Sequence, residues 1–207
     1  MPRPRVIDLD PLLDAAEQLA AESGPRAVTI RALSARTEVS NGAIYHAFGS
    51  RGGLLGRVWL RAARRYLDEQ RKALDANTSA VEAVVAAADC PATFLDRHPA
   101  SARYLLALSR DELLGSGELP APLADELRTL DAELTALLVD LTERMWGRRD
   151  RNAVAAIRTC VVELPTALLI HGPQPPGLAA RERLAAAVRA VLALTPPTPK
   201  PTVKEPI

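Results

Sequence analysis

An all-α fold is predicted by three features of this 207-residue chain. Hydrophobic residues make up 48% of it and aromatic residues only 3%, so its core must be built mainly from Ala, Leu and Val. Ala and Leu are strong helix formers, while the side chains that suit strands best are scarce. No stretch alternates apolar and polar residues as a half-buried strand does, and apolar residues recur instead at steps of three and four. The length allows a substantial core and more than one small domain.

Met1–Ile7 reads as a loose arm, because Pro2 and Pro4 resist helix; Arg3 and Arg5 either touch phosphates or have no role. A first helix starts near Leu9 or Asp10, with Pro11 in its first turn and Asp residues near its positive end. Leu9, Leu12, Leu13, Ala16, Leu19 and Ala20 form its buried stripe, and Ser23-Gly24-Pro25 ends it. Thr29 is expected to cap a short second helix that buries Ile30 and Leu33 and stops near Thr37-Glu38-Val39. Ser40 caps the third, which Gly49 closes.

That third helix divides cleanly into two faces. At about 100° per residue, Asn41, Tyr45, Gly42 and His46 share one side, and Ala43, Ala47, Ile44 and Phe48 share the other. One face anchors the helix in a core, while the other offers hydrogen-bonding groups and an exposed aromatic to a polar partner. Ser50 starts a fourth helix that runs to about Asp75, with Leu54, Leu55, Val58 and Leu67 on one side. Its Arg57, Arg61, Arg64 and Arg65 are expected to form a solvated face.

Beyond Asn77-Thr78-Ser79 the helices lengthen. One begins with Val81, Val84, Val85 and Ala88, is kinked by Pro91 and ends at His98-Pro99. The next covers Ala100–Leu114, up to Gly115-Ser116-Gly117. A long one carries Leu123, Leu127, Leu130, Leu134, Leu137, Leu141 and Met145 at alternating steps of four and three, an apolar seam for helix packing. Asn152–Ile170 is apolar around most of its circumference and so requires cover on every side, for which a second copy of the chain is the natural source. Arg181–Leu194 supplies a last stripe, making nine helices, and the Pro-rich tail from Thr195 is expected to be disordered.

The net charge of +1 is unevenly placed. Gly24–Lys72 holds ten Lys or Arg against three Asp or Glu, whereas Ala73–Ile207 holds 14 against 17. A basic N-terminal part on a slightly acidic body suggests that the former meets an anionic polymer. Cys90 and Cys160 lie far apart in apolar surroundings and read as free buried thiols rather than a metal pair or a bridge. No apolar signal core opens the chain, and no uninterrupted apolar run approaches membrane-spanning length, so a cytoplasmic protein without a membrane partner is expected.

Thr29-Ile-Arg-Ala-Leu-Ser34, Val39-Ser-Asn-Gly-Ala-Ile-Tyr-His-Ala-Phe48, Ser50-Arg51 and Leu54-Leu55 together resemble the tetracycline-repressor (TetR) family of transcriptional regulators. Phe94-Leu-Asp-Arg-His-Pro99 and the helix tally agree with that layout. The resemblance implies a helix-turn-helix DNA-binding domain at residues 1–52, a helical effector-binding and dimerisation domain at 53–194 and the tail at 195–207. Three departures stand out: Glu38 replaces the family's usual turn Gly, Ala47 replaces an aromatic, and Gly52-Gly53 replace better helix formers. The first implies backbone strain and the last a less rigid start to the fourth helix.

In helix-turn-helix geometry the second helix of the motif enters the major groove while the first lies across the backbone. The open N–H groups at Ser40, Asn41 and Gly42 would attract phosphate. Asn41 or His46 would read a base edge, Tyr45 would stack on sugar and donate to a phosphate, and Arg31 would reach guanine. Thr29 and Arg51, by the resemblance, would bind backbone phosphates.

The resemblance also implies an unidentified small-molecule effector, with Phe94, His98, Tyr104, Leu108, Met145, Trp146 and Glu163 as candidate lining residues. A homodimer through the last two helices would use Ile157, Val161, Leu164, Leu168, Leu184, Val188 and Val191, and its twofold axis predicts a palindromic double-stranded operator. The expected function is a repressor released by its effector. The alternative is a helical ligand- or protein-binding dimer that has lost sequence-specific DNA binding. His46, His98 and His171 belong to no nucleophile or metal signature, and no glycine loop cradles phosphate, so no enzyme, catalytic residue, metal or cofactor is expected.

Overall fold

The computed structural model describes residues 8–171 and 176–198, and these contain helices and turns but no strand. Ten α-helices follow one another: α1 Asp10–Ser23, α2 Ile30–Thr37, α3 Asn41–Phe48, α4 Arg51–Asp75, α5 Ala80–Arg97, α6 Pro99–Ala107, α7 Arg110–Gly115, α8 Ala121–Trp146, α9 Arg151–Arg158 and α10 Leu178–Leu192. A single 3₁₀ turn, Pro25–Ala27, joins α1 to the strand-like link before α2. α5 runs through Pro91 without ending.

One more helix is present than the nine expected. The segment predicted as Ala100–Leu114 is divided because Leu108 is extended, at φ −144° and ψ 117°. Ser109 then restarts the chain with a capping box: its Oγ accepts from the Glu112 N–H at 3.2 Å, and the Glu112 carboxylate accepts from the Ser109 N–H at 2.8 Å. Each group satisfies a donor the new helix would otherwise leave open.

α9 does not stop at Arg158 but continues in two wider turns, Thr159–Glu163 and Thr166–Ile170. Their hydrogen bonds span five residues, Leu164 N–H to the Thr159 carbonyl and His171 N–H to the Thr166 carbonyl. Pro165, which has no N–H to give, lies between them. The Thr166 hydroxyl donates to the Val162 carbonyl at 2.6 Å.

The helices pack as two units. The first contains the described residues up to Tyr66 together with Phe94–Ala132, and the second contains Leu67–Thr93 and the described residues from Glu133 onward. α4, α5 and α8 therefore each contribute residues to both. The first core gathers Leu12, Leu13, Ala16 and Ala20 of α1, Val28, Leu33, Ile44 and Phe48, and Leu54, Leu55 and Val58 of α4 around Tyr104 and Leu113. The second gathers Val84, Ala87 and Ala88 of α5, Leu137, Leu138 and Leu141 of α8, and Ile157, Cys160, Val161, Leu169, Leu184, Val188 and Leu192.

The tail begins in order rather than in disorder. Arg148 donates to the carbonyls of Pro196 and Pro197 at 2.7 and 3.1 Å, Asn152 donates to Pro197 at 3.0 Å, and Pro196 is buried. The rest of the expected tail, from residue 199, lies outside the described residues, as do Arg3 and Arg5 of the expected arm.

Candidate nucleic-acid interface

α2 and α3 form from local signals that hold. Thr29, in an extended conformation, accepts the Ala32 N–H on its Oγ at 3.1 Å, and Ser40 accepts the Ala43 N–H at 3.3 Å. The N–H groups of Asn41 and Gly42 find no partner among the described residues and are available to an anion. A Cβ on Gly42 would meet nothing within 4 Å, so this end of α3 is open to close approach. Between the two helices Glu38 sits at φ 59° and ψ 11°, the one non-glycine described residue with positive φ. It closes α2 by donating its N–H to the Ser34 carbonyl at 2.9 Å. The left-handed region costs a side chain with a Cβ about 1–2 kcal/mol, the strain expected from the absence of glycine.

The two faces of α3 separate as their spacing predicts. Ile44 and Phe48 are buried in the first core, and Ala43 and Ala47 are half-buried. Asn41, Gly42 and His46 are exposed, and Tyr45 leaves 60% of its surface in solvent. Arg31 is exposed on α2.

Gly52-Gly53 lie where the start of α4 is closely packed. A Cβ on Gly53 would lie 2.0 Å from the Phe48 carbonyl oxygen, and one on Gly52 would lie 2.5 Å from the Glu118 Cβ. The glycines let the α4 backbone approach the end of α3 and the chain before α8 more closely than any other residue allows. Ser50 secures the same corner, accepting from the Gly53 N–H at 2.9 Å and donating to the Glu118 carbonyl at 3.1 Å.

The expected basic surface is largely neutralised by acids from distant parts of the chain. Arg61, expected in solvent, donates to Glu17 at 2.8 Å and meets Asp14 at 2.8 Å, and Arg65 reaches Glu17 at 3.3 Å. Glu17 is buried and also accepts from the Ser101 hydroxyl at 2.5 Å. Arg57 and Arg64 share Glu126, Arg36 grips Glu22, Arg71 meets Asp68 and Glu133, and Lys72 meets Glu69. Arg36 holds the Glu22 carboxyl below its ordinary pKa chiefly through that hydrogen bond. Arg51 donates to the Val28 and Pro25 carbonyls, each at 3.0 Å. Of the ten cations between Gly24 and Lys72, only Arg26 and Arg31 lack such a partner among the described residues. Sequence reasoning did not single out Arg26, because nothing local distinguishes it from its paired neighbours.

Residues 12–58, which include α2 and α3, match the model of bacterial regulatory proteins of the tetR family. The match places a tetR-family domain, with its helix-turn-helix at α2–α3, in the N-terminal part of the chain. The chain is a DNA-binding transcriptional regulator. Solved structures of the same fold include the TetR-family regulator PfmR from Thermus thermophilus, at 21% identity and a TM-score of 0.66, covering 89% of this chain and 98% of that one. The regulator FadR from Bacillus subtilis in complex with stearoyl-CoA matches at 16% identity and 0.59, covering 88% and 94%. The superantigen PfiT matches at 17% identity and 0.66, covering 89% and 97%. No curated protein sequence matches the chain.

The candidate effector residues are distributed between the units. Phe94, His98, Tyr104 and Leu108 belong to the first. Phe94 is buried, edge-on to Tyr66 at 5.4 Å and 5.1 Å from the His98 ring. The Tyr104 hydroxyl donates to the Leu55 carbonyl at 3.0 Å, and burial pushes its pKa far above the ordinary phenol range. The Leu108 carbonyl accepts from the Trp59 indole at 2.8 Å. Met145 and Trp146 pack at the edge of the second core. Glu163, whose burial would have demanded a partner, is exposed and accepts from the Thr159 hydroxyl at 2.9 Å. The second unit also contains an open groove of roughly 310 Å³ between α5 and α10, lined in part by Asn77, Glu82, Asp89, Arg181 and Leu184. None of the candidate effector residues lines it.

The expected dimer residues need correction. Ile157 and Val188 are fully buried within the single chain, and Val161 and Leu184 almost so, so these four have no surface left to give a partner. Leu164, Leu168 and Val191 are half-buried against the same core. The stripes were real, but they face the chain's own interior. What stands out in solvent instead is Leu178, at 74% exposure, with Leu194 and Ile170. Contrary to expectation, Arg151–Ile170 is long and apolar enough to cross a membrane by length and composition, although a third of its most apolar window is buried inside the chain.

Proposed function

We propose that the chain represses transcription by binding a palindromic operator as a homodimer in the cytoplasm, and that a small-molecule effector releases it. It acts by binding and not by catalysis. The observation that carries this reading is α3: an eight-residue helix seated by Ile44 and Phe48, with Asn41, Tyr45 and His46 in solvent and its leading N–H groups open. Phosphate contacts at the N-termini of α2 and α3 set the position, and Arg31, Asn41 and His46 read base edges.

The dimer is supported by the apolar surface left on the last helices. Leu178, Ile170 and Leu194 are exposed, and Leu164, Leu168 and Val191 are only half-buried within one chain. A twofold axis through these helices sets two copies of α3 on successive major grooves. Effector binding then favours a spacing of the two α3 helices that no longer matches the operator. α4, one continuous helix with residues in both units, is the lever. The stearoyl-CoA held by the similarly folded FadR makes acyl-CoA thioesters the first set of effectors to try.

A second reading, a helical dimer without sequence-specific DNA binding, is favoured by the neutralised arginines and the strained Glu38. Fluorescence anisotropy with palindromes from the DNA beside its own gene separates the two. Salt-sensitive binding, weakened by an acyl-CoA or another metabolite, is the expected result. Equal affinity for the palindrome and for scrambled DNA would overturn the repressor reading.

A further inference from the structure

Arg26 occupies the middle of the 3₁₀ turn Pro25–Ala27, exposed and without a partner among the described residues. The backbone around it is held from several sides. Gly24, at φ 79°, closes α1 by donating to the Ala20 carbonyl at 2.8 Å. The Ala27 N–H returns to the Gly24 carbonyl at 3.0 Å, and the Val28 side chain is buried in the first core. Arg51 then ties both ends of the turn, donating through Nη2 to the Pro25 carbonyl and through Nε to the Val28 carbonyl. A buried anchor, a proline, a hydrogen-bonded turn and a two-point clamp thus fix the main chain at a residue whose cation has no partner among the described residues.

Arg26 precedes the Thr29 cap by three residues, so their Cα atoms are at most about 11 Å apart. The Thr29 hydroxyl is engaged by the Ala32 N–H, while the N–H groups of Ile30 and Arg31 have no partner among the described residues. A phosphate drawn to this end of α2 therefore lies within the sweep of the Arg26 side chain, and no acid competes for it. Arg51 is in a different situation, half-buried with Nε and Nη2 on backbone carbonyls.

We infer that Arg26 is a backbone-phosphate contact of the DNA complex and that Arg51 is the positioning residue that holds its turn. This rests on the DNA-binding reading above. In the complex Arg26 releases counterions and adds affinity without selecting sequence, while Arg51 acts through the geometry of residues 25–28.

The test measures operator affinity against salt for the full-length wild type and for Arg26→Gln, Arg26→Lys, Arg51→Gln and the double variant Arg26→Gln/Arg51→Gln. Each phosphate contact contributes about 0.9 to the slope of log K against log salt. Arg26→Gln should lower the slope by about 1.8 for a dimer and weaken operator and unrelated DNA by the same factor. Arg26→Lys should restore the slope. The double variant should bind no worse than Arg26→Gln alone, because Arg51 acts through Arg26. Arg26 is exposed and has no hydrogen bond or ion pair among the described residues, so thermal melts of Arg26→Gln should match wild type.

An unchanged slope in Arg26→Gln while wild type binds the operator would overturn the inference and leave the DNA-binding reading standing. Additive losses with independent slope changes would make Arg51 a phosphate ligand in its own right and overturn its positioning role. Absence of wild-type binding to any DNA at low salt would defeat both.

Discussion

α3 and the helix that begins at Arg151 both carry more apolar residues than a solvated helix needs, yet they relate to their surroundings in opposite ways. α3 spans eight residues, and its wheel describes it well: Ile44 and Phe48 go in, and Asn41, Tyr45 and His46 stay out. The later helix contains Ile157 and Val161, which its pattern suggested for a partner and which the chain covers itself. A stripe shows that a face will be buried. It does not say by whom. In α3 the question of the partner was answered by the opposite, polar face; in the later helix the exposed side, with Arg151, Arg158 and Glu163 among alanines, names no partner.

The largest effects should come from the buried members of the two helices. Ile44→Ala and Ile157→Ala should each cost about 2–5 kcal/mol in urea unfolding, since each empties a fully buried site. The Ile157→Ala loss should be the same at every protein concentration, and a loss that grew on dilution would return Ile157 to the interface. Tyr45→Ala should leave stability within about 0.5 kcal/mol but weaken operator binding by about 1.5–3 kcal/mol, the value of a hydrogen bond to a charged group. A matching loss of stability would mean that the exposed face of α3 is structural after all.

Glu38→Gly should raise unfolding stability by about 1 kcal/mol by relieving the left-handed backbone, with α3 keeping its faces. A loss of stability would show that the Glu38 side chain compensates for its own strain. The smallest effect concerns the second core: burial pushes the Cys160 thiol up to about 11, so at pH 8 it should react with a thiol reagent only as the chain unfolds. Rapid labelling of the native protein would show the core around Ile157 and Cys160 to be open.

The features legible in the sequence were those whose causes lie within a few residues. Thr29 and Ser40 cap their helices through bonds three residues long, Gly49 closes α3, and Glu38 takes the conformation its position requires. The charge partition misled because the acids that answer Arg61, Arg65, Arg57 and Arg64 come from α1 and α8. A local count of charge cannot register a partner 44 to 69 residues away. The same holds for Gly52-Gly53, which look like weak helix formers until the Phe48 carbonyl and Glu118 are placed beside them. The tenth helix was missed for the opposite reason: the Ser109–Glu112 capping box is local and visible, but the apolar run around it masked the break.

The wide turns around Pro165 have a consequence for that later helix as a mechanical object. Of its buried residues, Ala153, Ile157, Val161, Pro165 and Leu169 fall at steps of four, with Cys160 beside Val161. Wound at 3.6 residues per turn, each step would advance about 40°, and the row would wander about 160° around the rod, making the helix look apolar on every side. Hydrogen bonds that span five residues put more residues into each turn and cancel this drift, so the row stays straight against its support. The sequence is thus matched to a pitch, and a change that restored the ordinary winding would turn Leu169 out of line with Ile157 without altering a single apolar side chain.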